Sequence, residues 1–191
     1  MDLILASTSR YRKALLERLG LPFRSIDPEV DEASFLSQNL APRKLAETLA
    51  IAKARAIADR EPGAVIIGGD QVLSFDGQIL GKPGTVEAAI EQLLRLSGRS
   101  HELLTAVAIA GGSNITSFVD ITRLTVRSLS RLECERYVLA DRPIDCAGSY
   151  KLESRGILLF ESIESADHTA IVGLPLIALT THLRSIGIAI P

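Results

Sequence analysis

The first twenty residues constrain this chain more than any other stretch. Leu3 to Ala6 form a short apolar run that suits one buried strand, and it leads straight into Ser7-Thr8-Ser9. The pattern predicts a helix from Arg10 to Leu19, because Tyr11, Leu15 and Leu19 recur every four residues and Gly20 supplies a C-terminal stop. A strand feeding directly into a helix is the opening unit of an α/β layer.

The rest of the chain continues that alternation and then changes character. Leu21 to Ile26 is a second strand candidate, and Pro42 opens a helix to about Asp59 with Leu45, Leu49 and Ile57 along one face. Ala64 to Ile67 reads as a buried strand ending at Gly68-Gly69-Asp70. A hairpin is expected next, with Val72-Leu73-Ser74 and Ile79-Leu80 joined by a turn at Asp76-Gly77. Thr85 caps a helix running to Leu96. Two long β-rich runs, Leu103 to Ala110 and Ile115 to Val126, make a second hairpin through Gly111-Gly112-Ser113-Asn114. Ser130 to Ala140 is helical, with Ser130 and Glu133 spaced as a capping box. Short strands around Gly156 to Phe160 precede a last helix after Pro175. The sum is an α/β fold on a mixed, twisted sheet flanked by helices.

Composition narrows the function classes. Lys and Arg number 21 against 23 Asp and Glu, a net charge of -2, so there is no basic field to hold a nucleic acid polymer. A small anionic ligand needs only a local basic pocket, which this balance permits. No apolar run approaches the roughly 18 residues of a membrane span, and the start carries no basic region of the kind that opens a signal peptide. Cys134 and Cys146 form no C-x-x-C pair, so neither a disulfide scaffold nor a zinc site is expected. A cytoplasmic protein is expected, with no membrane partner.

Several residues carry candidate chemistry. Ser7-Thr8-Ser9 lies where unpaired backbone N–H groups at a helix start attract anions, with Arg12 one turn on; Ser7 or Ser9 could equally just cap the helix. Lys53 falls on the apolar face of its helix, between Leu49 and Ile57, where an ammonium needs an anionic partner or an open cleft unless it snorkels to water. Asp70, at the carboxyl end of an apolar strand, is placed to bind Mg²⁺ or accept a proton, or else shapes a turn. Gly81-Lys82-Pro83 lacks the glycine and hydroxyl spacing of a P-loop, leaving Lys82 as a point charge for phosphate or a solvated turn lysine. Glu29-Val30-Asp31-Glu32 is an acidic loop able to hold a cation or simply be solvated. His101, His168 and His182 have no metal spacing and read as structural or surface residues.

Together these pieces resemble the Maf-like nucleotide pyrophosphatases. The matching segments are Leu5 to Arg12, Val30-Asp31-Glu32, Ala52-Lys53-Ala54, Gly69-Asp70-Gln71-Val72, Gly81-Lys82-Pro83, Ala147-Gly148-Ser149-Tyr150 and Val172-Gly173-Leu174-Pro175-Leu176. Each is weak alone; their order and spacing cover nearly the whole chain. The resemblance implies a single domain over residues 1–191, similar to the inosine triphosphatase fold, with two lobes around a nucleotide cleft. It also implies a homodimer, a divalent cation such as Mg²⁺ or Mn²⁺, and hydrolysis of nucleoside triphosphates to the monophosphate and pyrophosphate. Carried onto this sequence, Asp70, Lys53 and Lys82 would be catalytic. Ser7, Arg12 and Glu32 would bind the substrate, and Glu32 with Asp70 would hold the metal.

Specificity follows from three further positions. Family members acting on dTTP and UTP carry arginine where Tyr11 stands, threonine where Gln71 stands and glutamine where Glu153 stands. This chain therefore resembles the subgroup that hydrolyses 7-methyl-GTP, although that subgroup usually has tryptophan at the position of Tyr11. The chemistry is consistent: a 7-methylguanine ring is cationic, an aromatic face attracts it, and a carboxylate can accept hydrogen bonds from its edge. Tyr11 also fits plain helix packing with Leu15 and Leu19. The other expectations open to this sequence are a dTTP/UTP or broad-specificity pyrophosphatase, and a non-catalytic nucleotide-binding regulator of septum formation.

Overall fold

A computed structural model of the chain describes residues 2–112 and 114–190. Elements follow in the order β1 (Leu3–Ala6), α1 (Arg10–Glu17), β2 (Arg24–Ile26), α2 (Glu32–Leu36), α3 (Pro42–Ala58), β3 (Val65–Phe75), β4 (Gln78–Leu80) and α4 (Val86–Leu96). They continue with β5 (Ser100–Gly111), β6 (Asn114–Val126), α5 (Arg131–Asp141), β7 (Phe160–Glu164) and α6 (Leu176–Ser185), with 3₁₀ turns at Arg155–Leu159 and Ala170–Val172. The strands form one mixed sheet of order β2-β1-β3-β5-β6-β7, with β4 paired to β3. Among the described residues no helix is long and apolar enough to cross a membrane.

The chain divides into two compact units. The first takes in the chain up to Gln71, then Thr105–Asp120, then the chain from Asp167. Its heart is parallel: β1 pairs with β2 (Leu5 opposite Ser25) and with β3 (Leu3 opposite Val65, Ala6 opposite Gly68). Alternate side chains of a strand face opposite ways. Leu5 and Ile67 thus share a buried cluster with Leu16 of α1 and Leu179 and Leu183 of α6. The helix α3 buries Leu45, Leu49 and Ile57, as the sequence predicts, and Lys53 among them.

The second unit holds Val72–Leu104 and Ile121–Ala166. Its β3–β4 hairpin pairs Phe75 with Gln78, and Asp76 and Gly77 both take the positive φ that a two-residue hairpin turn requires. Thr85 caps α4 by accepting from the Ala88 amide, and both halves of the Ser130–Glu133 capping box are formed at α5. The remaining hairpin connection includes Ser113, which lies outside the described residues.

Three expectations need correction. The strand predicted to stop at Gly68-Gly69-Asp70 instead runs through them to Phe75. The second strand is only Arg24–Ile26, because β1 offers just Ile4, Leu5 and Ala6 as partners. The segment 156–160 is mostly a 3₁₀ turn, and the strand begins at Phe160. Gly156 explains that turn. Its amide donates to the Lys151 carbonyl at 2.9 Å, and a Cβ there would sit 2.5 Å from the same oxygen.

Candidate functional site

The first unit brings three of the expected residues into one charged cluster, with Arg12 nearby. Lys53 Nζ lies 2.7 Å from Asp70 Oδ1 and 2.6 Å from Glu32 Oε1. Lys53 and Asp70 are each 7% exposed, whereas Glu32 stands in solvent at the first residue of α2, whose N-cap is Asp31. The ammonium on the apolar face of α3 therefore does have its anionic partners, as burial demands.

Asp70 owes its position to the two glycines before it. A Cβ on Gly68 would lie 2.3 Å from the Ala50 carbonyl oxygen and 2.7 Å from the Ala54 nitrogen. Only glycine lets α3 come this close to β3, and that approach sets Lys53 against Asp70. At Gly69 a Cβ would meet the Arg12 side chain at 3.3 Å. Although β3 continues past Asp70, β1 does not: its last pairing is Ala6 with Gly68. Asp70 thus lies just beyond the carboxyl end of β1, where open α/β sheets bind ligands.

Ser7 and Ser9 divide the duties that the sequence left open. Ser9 is the N-cap of α1, its side chain accepting from the Arg12 amide. Ser7 is buried; its Oγ accepts from the Ser9 amide at 3.1 Å and from Arg12 Nη1 at 3.4 Å. The Arg12 guanidinium also donates from Nε to the Gly173 carbonyl at 3.1 Å. Desolvation lowers the pKa of Arg12, opposed by the nearby carboxylates of Asp70 and Glu32. Desolvation likewise raises the pKa of Asp70, against the charges of Lys53 and Arg12 that lower it.

The specificity candidates sit in different settings. Tyr11 is half-buried rather than a core residue; the Arg10 guanidinium lies over its ring at 4.7 Å and donates to its hydroxyl at 2.7 Å. Gln71 Nε2 donates to Thr105 Oγ1 and to the carbonyls of Ala170 and Ile171. Lys82 and Glu153 belong to the second unit, where Lys82 is exposed between β4 and α4 and Glu153 is exposed in the turn before the Arg155–Leu159 segment.

The acidic stretch does not act as one group. Glu29 pairs with Arg60, Asp31 caps α2, and only Glu32 reaches Lys53. Among the described residues, no group of three or more His, Cys, Asp or Glu side chains is gathered to hold a metal. His101 is buried and bonds the Tyr150 hydroxyl at 2.8 Å, and His182 stacks on Phe118, so both have the structural roles expected. His168 is exposed.

Sequence reasoning missed Thr105, Asp167 and Thr169, all buried polar residues of the first unit. Asp167 Oδ2 accepts from the Ile177 amide and Thr169 Oγ1 from the Leu176 amide, so together they cap α6, which Pro175 leaves without a side-chain cap. Their spacing from the helix gives no local signal. A Thr in an apolar strand, such as Thr105 amid Leu104 and Ala106, was the one visible hint.

The architecture is that of a known group of α/β proteins. The solved structure of the Ham1 protein of Staphylococcus aureus superposes with a TM-score of 0.54 over 97% of this chain and 100% of that one, at 16% identity, a likeness of fold. The chain belongs to the Maf-like protein family, whose profile matches residues 2–186. A 7-methyl-GTP pyrophosphatase of Bdellovibrio bacteriovorus is 50% identical over 184 residues, covering 96% of each chain. Another so named, from Bordetella pertussis, is 50% identical over 186 residues, covering 97% of this chain and 92% of that protein.

Proposed function

We propose that this protein hydrolyses nucleoside triphosphates to the monophosphate and pyrophosphate, with 7-methyl-GTP as the preferred substrate, and so clears modified nucleotides. The observation that carries this reading is the Lys53–Asp70–Glu32 cluster beside Arg12 and the start of α1. Two cations and a helix N-terminus suit a polyphosphate, and a desolvated carboxylate suits a proton acceptor. The relatives named above act, by their names, on 7-methyl-GTP.

The chemistry follows from these side chains. Water attacks, the bond between the α and β phosphoryl groups breaks, and pyrophosphate leaves. Asp70 orients the water and accepts its proton. Arg12, Lys53 and Lys82 stabilise charge on the phosphoryl oxygens and the departing pyrophosphate. Ser7 holds Arg12 and donates to the phosphate chain.

A divalent cation fits the donor set. Mg²⁺ and Mn²⁺ take oxygen ligands, and Mg²⁺ is commonly bound by one or two carboxylates together with substrate phosphates rather than by a complete protein cage. Asp70 and Glu32 would hold it, and it would supply charge neutralisation on the phosphoryl oxygens. Tyr11 would stack on the cationic base, and Glu153 would accept from its edge. The same reading has the protein acting as a cytoplasmic homodimer on free nucleotides; its two free cysteines suit a reducing compartment.

Pyrophosphate release from 7-methyl-GTP, GTP, dTTP, UTP and CTP, with Mg²⁺ or Mn²⁺ and after chelation, tests the proposal. Preferential cleavage of 7-methyl-GTP that stops on chelation is expected. Preference for dTTP or UTP would discard the substrate assignment, and no release from any of them would discard the reaction.

A further inference from the structure

Lys82 stands exposed in the short link between β4 and α4, yet the backbone around it is fixed on both sides. Strand β4 makes its last pairing at Leu80, opposite Leu73, so the next carbonyl, that of Gly81, lies beyond the ladder. Gln92 of α4 supplies a partner instead: its Nε2 donates to Gly81 O at 3.0 Å. On the far side of Lys82, the Gly84 amide donates to the Ile144 carbonyl at 3.0 Å. Between these two clamps Pro83 locks its own φ and keeps Lys82 out of the helical region. A Cβ on Gly81 or Gly84 would meet nothing within 4 Å. Hydrogen bonds and a proline ring, not close packing, hold this link.

Gln92 is itself held. Its Oε1 accepts from the Ser149 hydroxyl at 2.7 Å, and Ser149 is 0% exposed. A backbone carbonyl can only accept, so the NH₂ end of Gln92 faces Gly81 and its oxygen faces the serine. Ser149 has φ of 60°, the left-handed region that residues with a side chain seldom adopt, and it follows Gly148 at φ 83°. A Cβ on Gly148 would lie 2.5 Å from Leu73 Cδ1, so this turn is packed directly against β3. Strain of this kind persists only where the surroundings over-determine it. A path of hydrogen bonds thus runs from the packed turn at Ser149, through Gln92, to the residue before Lys82. All of it lies within the second unit.

We propose that Gln92 and Ser149 are positioning residues for Lys82, fixing the Gly81 carbonyl so that the link delivers the Lys82 ammonium to the polyphosphate of the substrate. This rests on the pyrophosphatase reading for the role of Lys82. Lysine carries a point charge on a flexible stem, so a fixed backbone is what limits the volume its ammonium searches before it binds. The pair can therefore contribute at most what Lys82 itself contributes.

Inorganic tripolyphosphate with Mg²⁺ is the probe, and its dissociation constant is measured by calorimetry. Gln92→Met keeps the length of the side chain at a helical position and removes both hydrogen bonds. Ser149→Gly removes the hydroxyl and suits the left-handed backbone. Each should weaken binding roughly tenfold, less than Lys82→Ala does, and the two together should add little more. In a Lys82→Ala background neither should weaken binding further, whereas a loss through general loosening would persist there. Melting temperatures should stay close to that of the wild type, since α4 keeps its buried Leu93 and Leu96.

Wild-type affinity in Gln92→Met, or a loss in either variant that persists in full without Lys82, would overturn the proposal. So would unchanged affinity in Lys82→Ala, or wild-type protein that fails to bind tripolyphosphate. Wild-type protein that binds it, with the variants behaving as stated, but releases no pyrophosphate from any nucleotide would instead overturn the pyrophosphatase reading and leave the positioning intact.

Discussion

Lys53 donates to Asp70 across 2.7 Å, and the two side chains are almost closed to solvent. Neither could be buried so deeply alone, because an unpaired charge in such a place costs several kcal/mol, on the order of 3 to 5 when one partner is removed. Helix α3 and strand β3 therefore present a matched pair.

Asp70→Asn is expected to lower pyrophosphate release by at least about 100-fold, the usual worth of a positioned proton acceptor. Lys53 keeps Glu32 as a partner, so the fold should survive. Steady-state kinetics together with a circular dichroism melt make the check; wild-type turnover in a well-folded variant would remove Asp70 from the catalytic role.

The acidic limb of activity should lie above the ordinary aspartate range. Burial raises the Asp70 pKa, and the ionised form is the one that accepts a proton, so kcat/KM falls as pH drops through that raised value. Lys53 opposes the rise. Lys53→Met should consequently move the limb to still higher pH, besides lowering activity. A pH–rate profile with its limb at or below the ordinary aspartate range would contradict this.

Gly68→Ala should be disproportionately harmful for the addition of one methyl group. The new Cβ would lie 2.3 Å from the Ala50 carbonyl oxygen, which belongs to a helix backbone and cannot rotate aside. Overpacking of this kind costs about 1 to 3 kcal/mol, and pushing α3 outward carries Lys53 with it. Both the melting temperature and pyrophosphate release should fall; a neutral effect on both would refute the close-approach argument.

Base preference should respond to Tyr11 and Glu153. Tyr11→Arg removes an aromatic face and adds a charge of the same sign as 7-methylguanine, and Glu153→Gln removes a complementary one. Each should lower kcat/KM for 7-methyl-GTP relative to UTP, by about tenfold if each contact is worth about 1.4 kcal/mol. An unchanged ratio in both variants would refute the assignment.

His101 should leave a mark on stability but not on catalysis. Desolvation holds its pKa down to about 4, against 6.5 ordinarily. Its folded pKa is depressed, so its contribution is complete above 6.5 and is lost as pH falls from there towards 4, while the unfolded chain takes up the proton first. The loss is on the order of 3 kcal/mol. Denaturant unfolding at pH 7 and pH 4.5 should show it, and His101→Gln should flatten the difference.

Much of this molecule was legible from local pattern. The strand-to-helix opening, the buried face of α3, the Asp76-Gly77 turn and the Ser130–Glu133 capping box depend on neighbours a few residues apart, and each formed as the sequence predicts. Lys53 is marked by a local feature too, an ammonium at an apolar helical position. The strand through Gly68-Gly69-Asp70 defies its local signal: glycines normally weaken a strand, and here they serve close packing against α3.

Sequence by itself, then, determined the α/β class, the family and the residues with charge to contribute, because periodicity, caps and ordered motifs are properties of the chain. Tertiary structure alone decided which charges meet. Glu32, Lys53 and Asp70 come from α2, α3 and β3, and nothing in their spacing says that one ammonium lies between two carboxylates. The fastening of Gln71 and Arg12 to the Ala170–Gly173 turn was equally hidden, since hydrogen bonds across 99 and 161 residues depend on where the backbone returns. Local pattern reports propensity and burial; partnership between distant polar groups exists only once the packed core has brought their carriers together.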